Sequence, residues 1–232
     1  MKTLTLTAWY RLEYLKQMLD SLRQNNLEGY DLLYCAIEPG RPEVADLCTS
    51  IDFIPTKVFV NPFQRGVRIN PYSALEAVFH MGSDFNVYLE EDIVLSPDAL
   101  DMANWYQGQA EDTLCLPFFN YHSSPDDPAG IKVERECEEF AALGFALTRQ
   151  SWEKWFQPYW FMDDYSKGKI GWDWAVRYAA NKHGLEMLMP LWARSNHIGQ
   201  LGGMHCSAEF HDQTFAHLSI SDGSSRNYEI AG

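Results

Sequence analysis

Three acidic side chains, Glu90, Glu91 and Asp92, follow directly on the apolar-rich run "FNVYL". Carboxylates at the end of a buried element repel one another and lose hydration, so they need a cation, a ligand or a helix terminus to offset the cost. A hard divalent cation prefers carboxylate oxygen, and when phosphate oxygens and water fill its other positions it takes only one or two protein carboxylates. The triplet also has an ordinary use, as a hydrated strand end whose charges face the positive terminus of the next helix.

The elements around the triplet decide between these uses. "TLTLTA" alternates as a strand, and Leu12, Leu15, Leu19 and Leu22 recur at helical spacing just after it. "YDLLYCAIE" and "TKVFVN" repeat the strand signal, with "RPEVADLCTSI" a short helix between them. "PYSALEAVFHMG" predicts a helix with Pro71 near its first turn and Gly82 at its end, and "FNVYLE" predicts the fourth strand. "SPDALDMANWY" predicts a helix with Ser96 as cap and Pro97 at its first position. Alternating strands and helices imply an α/β fold with a mostly parallel sheet flanked by helices, which binds ligands at the carboxyl ends of its strands. The triplet falls at such an end.

The second half is less regular. "EFAALGFALTRQSWEKWF" predicts a strand running into a helix, and "GWDWAVRYAANKHG" a helix closed by Gly184. "LEMLMPLWARSNHIG" predicts a strand and a Gly-rich loop. With no linker or repeat, residues 1–232 read as a single domain.

Composition narrows the function. A formal net charge of -14 argues against a nucleic-acid surface, which needs clustered Lys and Arg. The five cysteines are odd in number and hold no C-x-x-C pair, so they predict reduced, mostly buried thiols and neither a disulfide framework nor a zinc knuckle. No apolar run approaches the roughly 20 residues of a membrane span, and the amino-terminal stretch turns polar too early for a signal peptide. Eight Trp and an aromatic content of 14% leave rings to line a sugar or base pocket.

"YLEEDIVLSPDAL", "GWDWAVR" and "PLWARSNHIGQLGGMH" occur in an order that resembles GT-A fold glycosyltransferases, in particular the N-acetylglucosaminyltransferase I and protein-O-mannose N-acetylglucosaminyltransferase type. The agreement covers roughly residues 3 to 205. The resemblance implies a Rossmann-like GT-A domain, with residues 1–100 as the nucleotide-sugar half and 101–232 as the acceptor and catalytic half. It makes Asp92 the direct ligand of Mn²⁺ or Mg²⁺, with Glu90 and Glu91 behind it orienting metal waters and the donor's ribose. Arg11 matches a contact to the nucleotide diphosphate, Glu38 an acid that reads uracil, and Asn70 a polar donor contact. A late His completes the metal site in many such enzymes; His205 is best placed, and His197 is expected to contact the diphosphate or the acceptor. His211 and His217 are expected on the surface.

Inverting sugar transfer needs a base on the face opposite the leaving diphosphate. Asp173, between Trp172 and Trp174, is the candidate, and a helix cap is its alternative use. Relatives carry two adjacent Asp residues, whereas here Trp174 takes the second position. The expected activity is a metal-dependent inverting glycosyltransferase acting from a UDP-sugar on a glycan, lipid-linked sugar or small-molecule hydroxyl, with a modified DNA base as a remote option. A nucleotidyltransferase and a non-catalytic sugar-binding module are the alternatives. With no anchor or stem in the sequence, a cytoplasmic protein of bacterial or viral origin is expected.

Overall fold

The computed structural model describes residues 1–111, 113–135, 140–163, 171–201 and 206–231. In chain order the first half runs β1 (Lys2–Ala8), α1 (Leu12–Arg23), β2 (Leu32–Ile37), α2 (Pro42–Thr49), β3 (Thr56–Val60), α3 (Gly66–His80), β4 (Phe85–Glu90), β5 (Ile93–Leu95) and α4 (Ala99–Gln107). Then come β6 (Leu116–Pro117), β7 (Gly130–Glu134), β8 (Phe145–Thr148), α5 (Arg149–Ser151), a π-helical turn Trp152–Phe156, α6 (Gln157–Tyr159) and α7 (Trp172–His183). β9 (Met187–Pro190), β10 (Ser195–His197), α8 (Ala208–Thr214) and β11 (Glu229–Ile230) complete the order.

The main sheet has the order β3-β2-β1-β4-β8-β6. β1 to β4 are mutually parallel, and β8 runs antiparallel to β4 and β6. Side chains alternate across each strand. Leu4, Leu6, Leu33, Cys35, Val87 and Leu89 enter one core with Leu15, Met18 and Leu22 of α1, Val44 of α2 and Leu100 of α4. Tyr34, Ala36, Tyr88, Phe145 and Leu147 enter the other with Ala74 and Val78 of α3, Trp152, and Val176 of α7. Helices on both faces therefore leave the strand ends as the open edge.

β1 also turns Thr3, Thr5 and Thr7 inward. A buried hydroxyl needs a partner, and Asn86 Nδ2 donates to Oγ1 of both Thr3 and Thr5, each at 2.8 Å.

Three expectations are corrected. α3 begins at Gly66, so Pro71 lies inside it; the helix starts early because Glu38 accepts hydrogen bonds from the backbone N–H groups of Arg65 and Gly66. α4 begins at Ala99 with Asp98 at its cap, and Ser96 Oγ instead donates to Asp98 Oδ1 at 2.7 Å. The "LEMLMPLWARSNHIG" segment holds two strands, β9 and β10, in different sheets. Cys35, Cys48 and Cys115 are buried free thiols, as expected, and Cys137 lies outside the described residues.

Candidate active site

The sheet order reverses direction between β1 and β4, and an α/β sheet binds its ligands beside such a point. Arg11 follows β1, Glu38 follows β2, Glu90 ends β4, and Glu91 and Asp92 follow it, so all five meet at one edge. A cleft of about 100 Å³ opens there, lined among others by Trp9, Arg11, Glu38, Asn70, Glu90 and Glu91.

Arg11 holds the acids together. Its Nε donates to Glu91 Oε1 at 2.8 Å and its Nη1 stands 2.7 Å from Asp92 Oδ2. Glu91 Oε2 also accepts the backbone N–H of Trp9 at 2.7 Å, which fixes the turn leaving β1. Glu90 points elsewhere, into a relay in which Tyr88 donates to Glu90 Oε1 at 2.9 Å and Thr7 Oγ1 lies 2.8 Å from the Tyr88 hydroxyl. Burial and then the charge of Asp92 push Glu90 up to about 8. Burial alone would also raise Asp92, but the His197 hydrogen bond and the Arg11 charge outweigh it and hold Asp92 below the usual carboxylate range.

His197 reaches the site through the small antiparallel pair β5–β10, in which it registers with Ile93. Its Nε2 donates to Asp92 Oδ2 at 2.8 Å, and Ile198 N–H donates to the Asp92 carbonyl at 2.8 Å. Gly199 then passes so close that a Cβ there would stand 2.5 Å from Asp92 Oδ2.

Asp92 Oδ1 is buried with no hydrogen-bond partner among the described residues. One unpartnered carboxylate oxygen suits a hard divalent ion that takes its remaining ligands from phosphate and water. Among the described residues no three His, Cys, Asp or Glu side chains converge on a common point. The residues present therefore fit an ion held by one carboxylate and shared with a ligand, and do not fit a protein-built cage. His205 lies outside the described residues.

The other candidates divide. Glu38 is buried, and its two oxygens accept from Arg65 N–H at 2.9 Å and Gly66 N–H at 2.6 Å, anchoring the start of α3. Asn70 is buried on α3, accepting from Asn61 Nδ2 at 2.8 Å and donating to the Ala36 carbonyl. Both line the cleft, and both are already used by the backbone that shapes it. Asp173 sits half-buried in the first turn of α7 and, among the described residues, neither lines the cleft nor bonds to Arg11, Glu91 or Asp92. Of its flanking rings, Trp172 stacks on Trp160 with centroids 4.2 Å apart, and Trp174 lies under the Arg177 guanidinium.

His211 corrects the expectation of a surface residue. It is buried, its ring centroid is 5.4 Å from that of His197, and its Nε2 donates to the His197 carbonyl at 3.0 Å. The four-residue spacing of His211 and Phe215, which puts both on one helical face, was the signal that could have found it. His217 is exposed, as expected. The ion pair between Arg194 Nε and Asp98 Oδ2, 2.9 Å long with both side chains fully buried, had no signal in residue spacing, since Asp98 lies just after β5 and Arg194 just before β10, two strands that meet only in the fold.

No protein-family model and no curated protein sequence matches the chain. Solved structures do. Residues 1–349 of S. aureus TarS superpose with a TM-score of 0.61 at 12% identity over 86% of this chain and 61% of theirs. The same TarS fragment in complex with UDP-GlcNAc gives 0.54 at 12% identity, over 82% of this chain and 56% of that one. The mannosyltransferase PcManGT of Pyrobaculum calidifontis, in complex with GDP-Man and Mn²⁺, gives 0.55 at 11% identity, over 82% and 54%. These likenesses show the fold, a GT-A type mixed α/β fold around a mostly parallel sheet. The chain spans about three fifths or less of the length of each of these structures. Among the described residues, no helix is long and apolar enough to cross a membrane.

Proposed function

We propose that this chain is a metal-dependent, inverting glycosyltransferase that uses a nucleotide-sugar donor of the uridine diphosphate type. The observation that carries the reading is the meeting of Arg11, Glu91, Asp92 and His197 at the switch point of the sheet, with one Asp92 oxygen left free. The solved complexes with UDP-GlcNAc and with GDP-Man and Mn²⁺ support a nucleotide-sugar donor on the same fold. N-acetylglucosamine as the transferred sugar follows from the resemblance to the N-acetylglucosaminyltransferase I type.

Residues 1–100 receive the donor and residues 101–232 the acceptor. Arg11 presents a fixed cation at the mouth of β1, where a diphosphate would lie, and Glu91 and Asp92 keep its guanidinium oriented through one contact each. Asp92 is the protein group that would hold Mn²⁺ or Mg²⁺, together with His205, while His197 fixes the Asp92 carboxylate and contacts the donor. Bound there, the ion would offset charge growing on the diphosphate as the sugar leaves. Glu38 shapes the base end of the cleft by fixing the start of α3, and reading uracil would be a second use of the same oxygens. In the transfer step the acceptor hydroxyl oxygen bonds to the anomeric carbon from one face. The bond from that carbon to the diphosphate breaks on the other face, and its electron pair leaves with the diphosphate. Asp173 takes the hydroxyl proton as general base.

The test is calorimetry with a panel of nucleotide sugars, with Mn²⁺ and in EDTA, followed by transfer assays with the donor that binds. Metal-linked binding of a UDP-sugar and a product of inverted anomeric configuration by NMR are expected. Retained configuration would refute the mechanism, and donor binding without transfer to any acceptor would favour a binding module.

A further inference from the structure

The cleft and Asp173 lie on different elements, and one cluster of buried and partly buried side chains connects them. Arg68 is on α3, two residues from Gly66 and Asn70, both of which line the cleft. Its Nη1 donates to Asp163 Oδ2 at 2.6 Å and its Nη2 to the Trp160 carbonyl at 2.9 Å. Trp160 returns a bond, from its Nε1 to the Arg68 carbonyl at 2.9 Å. The other oxygen of Asp163, Oδ1, accepts the backbone N–H of Gly171 at 3.2 Å. Gly171 is the residue that caps α7, at φ 131°, and Asp173 lies two residues beyond it. Trp160 and Trp172 stack face to face, 7° from parallel, so the same segment also grips the first residue of the helix.

The geometry points to Arg68 and Asp163 as positioning residues that lock the turn carrying Asp173 to the helix that walls the donor cleft. The inference rests on the proposed role of Asp173 as base. The Asp163 side chain is only 6% exposed, so its charge needs a partner within the protein, and Arg68 is one. A carboxylate with one oxygen on a guanidinium and the other on the N–H that opens α7 transmits the position of α3 to the start of α7. Glycine at 171 serves this directly, because its backbone conformation is one that side chains disfavour and a Cβ would meet Asp173 Oδ1 at 2.6 Å. A base must sit within hydrogen-bond reach of the acceptor hydroxyl while the donor is held on the other element, so an error in their relative placement falls on the transfer step and not on donor binding.

The experiment compares wild type with Arg68→Met, Arg68→Lys and Asp163→Asn in steady-state transfer, and follows hydrogen exchange of the amides of residues 171–175 without substrate. Arg68→Met and Asp163→Asn are expected to lower kcat about 10- to 100-fold with donor KM close to wild type, the scale set by small misplacements of reacting groups. Arg68→Lys, which keeps the charge pair, restores most of the rate, and exchange at 171–175 quickens in the two damaging variants only. Should Asp163→Asn fail to fold, the two Arg68 variants, altered at a partly exposed side chain, carry the test. Wild-type kcat in a folded Arg68→Met protein, or a donor KM that rises as far as kcat falls, overturns the positioning role alone. A wild-type chain that transfers no sugar overturns the transferase reading, and the positioning role with it.

Discussion

His197 Nε2 stands 2.8 Å from Asp92 Oδ2 although 105 residues separate them in the chain. The bond depends on β10 lying against β5, which begins one residue after Asp92. It leaves Asp92 with one oxygen engaged by His197 and Arg11 and one free, and this asymmetry underlies the first prediction.

Asp92→Ala is expected to abolish the dependence of uridine diphosphate binding on a divalent ion, along with transfer. Wild type should bind the nucleotide more tightly in Mn²⁺ than in EDTA, and the variant should bind it equally weakly in both. Equal wild-type affinity in Mn²⁺ and EDTA by calorimetry would falsify the metal assignment.

Gly199→Ala should damage the same site without touching its chemistry. The added Cβ would lie 2.5 Å from Asp92 Oδ2, 2.8 Å from His197 Nε2 and 2.9 Å from Arg11 Nη1, so the backbone must withdraw. Overpacking of this kind costs about 1–3 kcal/mol. A fall in melting temperature together with weakened nucleotide binding is expected, and an unchanged protein by both measures contradicts the close approach of the loop.

The buried pair Arg194–Asp98 should govern stability. Asp98 also accepts from Ser96 and Tyr228, and Arg194 from its other nitrogens donates to the carbonyls of Trp192 and Pro128. Arg194→Met leaves the Asp98 charge without its cation, at a cost of about 3–5 kcal/mol. A lowered urea midpoint reports it, and because Arg194 precedes β10 directly, His197 should lose its hold on Asp92 as well.

Glu38 separates anchoring from base recognition. Glu38→Gln removes the charge that faces the start of α3, a loss of about 0.3–1 kcal/mol or somewhat more for a buried group. If the residue also reads uracil, wild type prefers uridine over guanosine diphosphate and the variant loses that preference. Competition in which the two diphosphates displace the donor equally well from wild type removes the second role and leaves the first.

Asp173→Asn keeps size and most hydrogen bonding but cannot accept a proton. Transfer should fall by about 10²- to 10⁴-fold with donor and metal affinity near wild type. Wild-type transfer by the folded variant means that the base is another residue.

The sequence alone determined the alternation of strands and helices, because periodicity and punctuation are local: the Leu spacing of α1, the apolar run of β4 and Gly184 closing α7 each carry their own signal. It also placed Arg11, Glu38 and the triplet after three different strands, and a parallel sheet then forces those ends onto one edge. Only the tertiary structure decided how these charges are used. Glu38 serves the start of α3, Glu90 turns to Tyr88, and Arg11 neutralises Glu91 and Asp92, because a buried charge takes whichever partner packing brings within reach. The contribution of β10 and the Arg194–Asp98 pair arise from contacts between residues far apart in the chain, for which spacing carries no information. The strand ends can be read from short windows of residues, whereas the partners of these carboxylates are fixed only by tertiary packing, and for Asp92 and Asp98 partly by the packing of one half of the chain on the other.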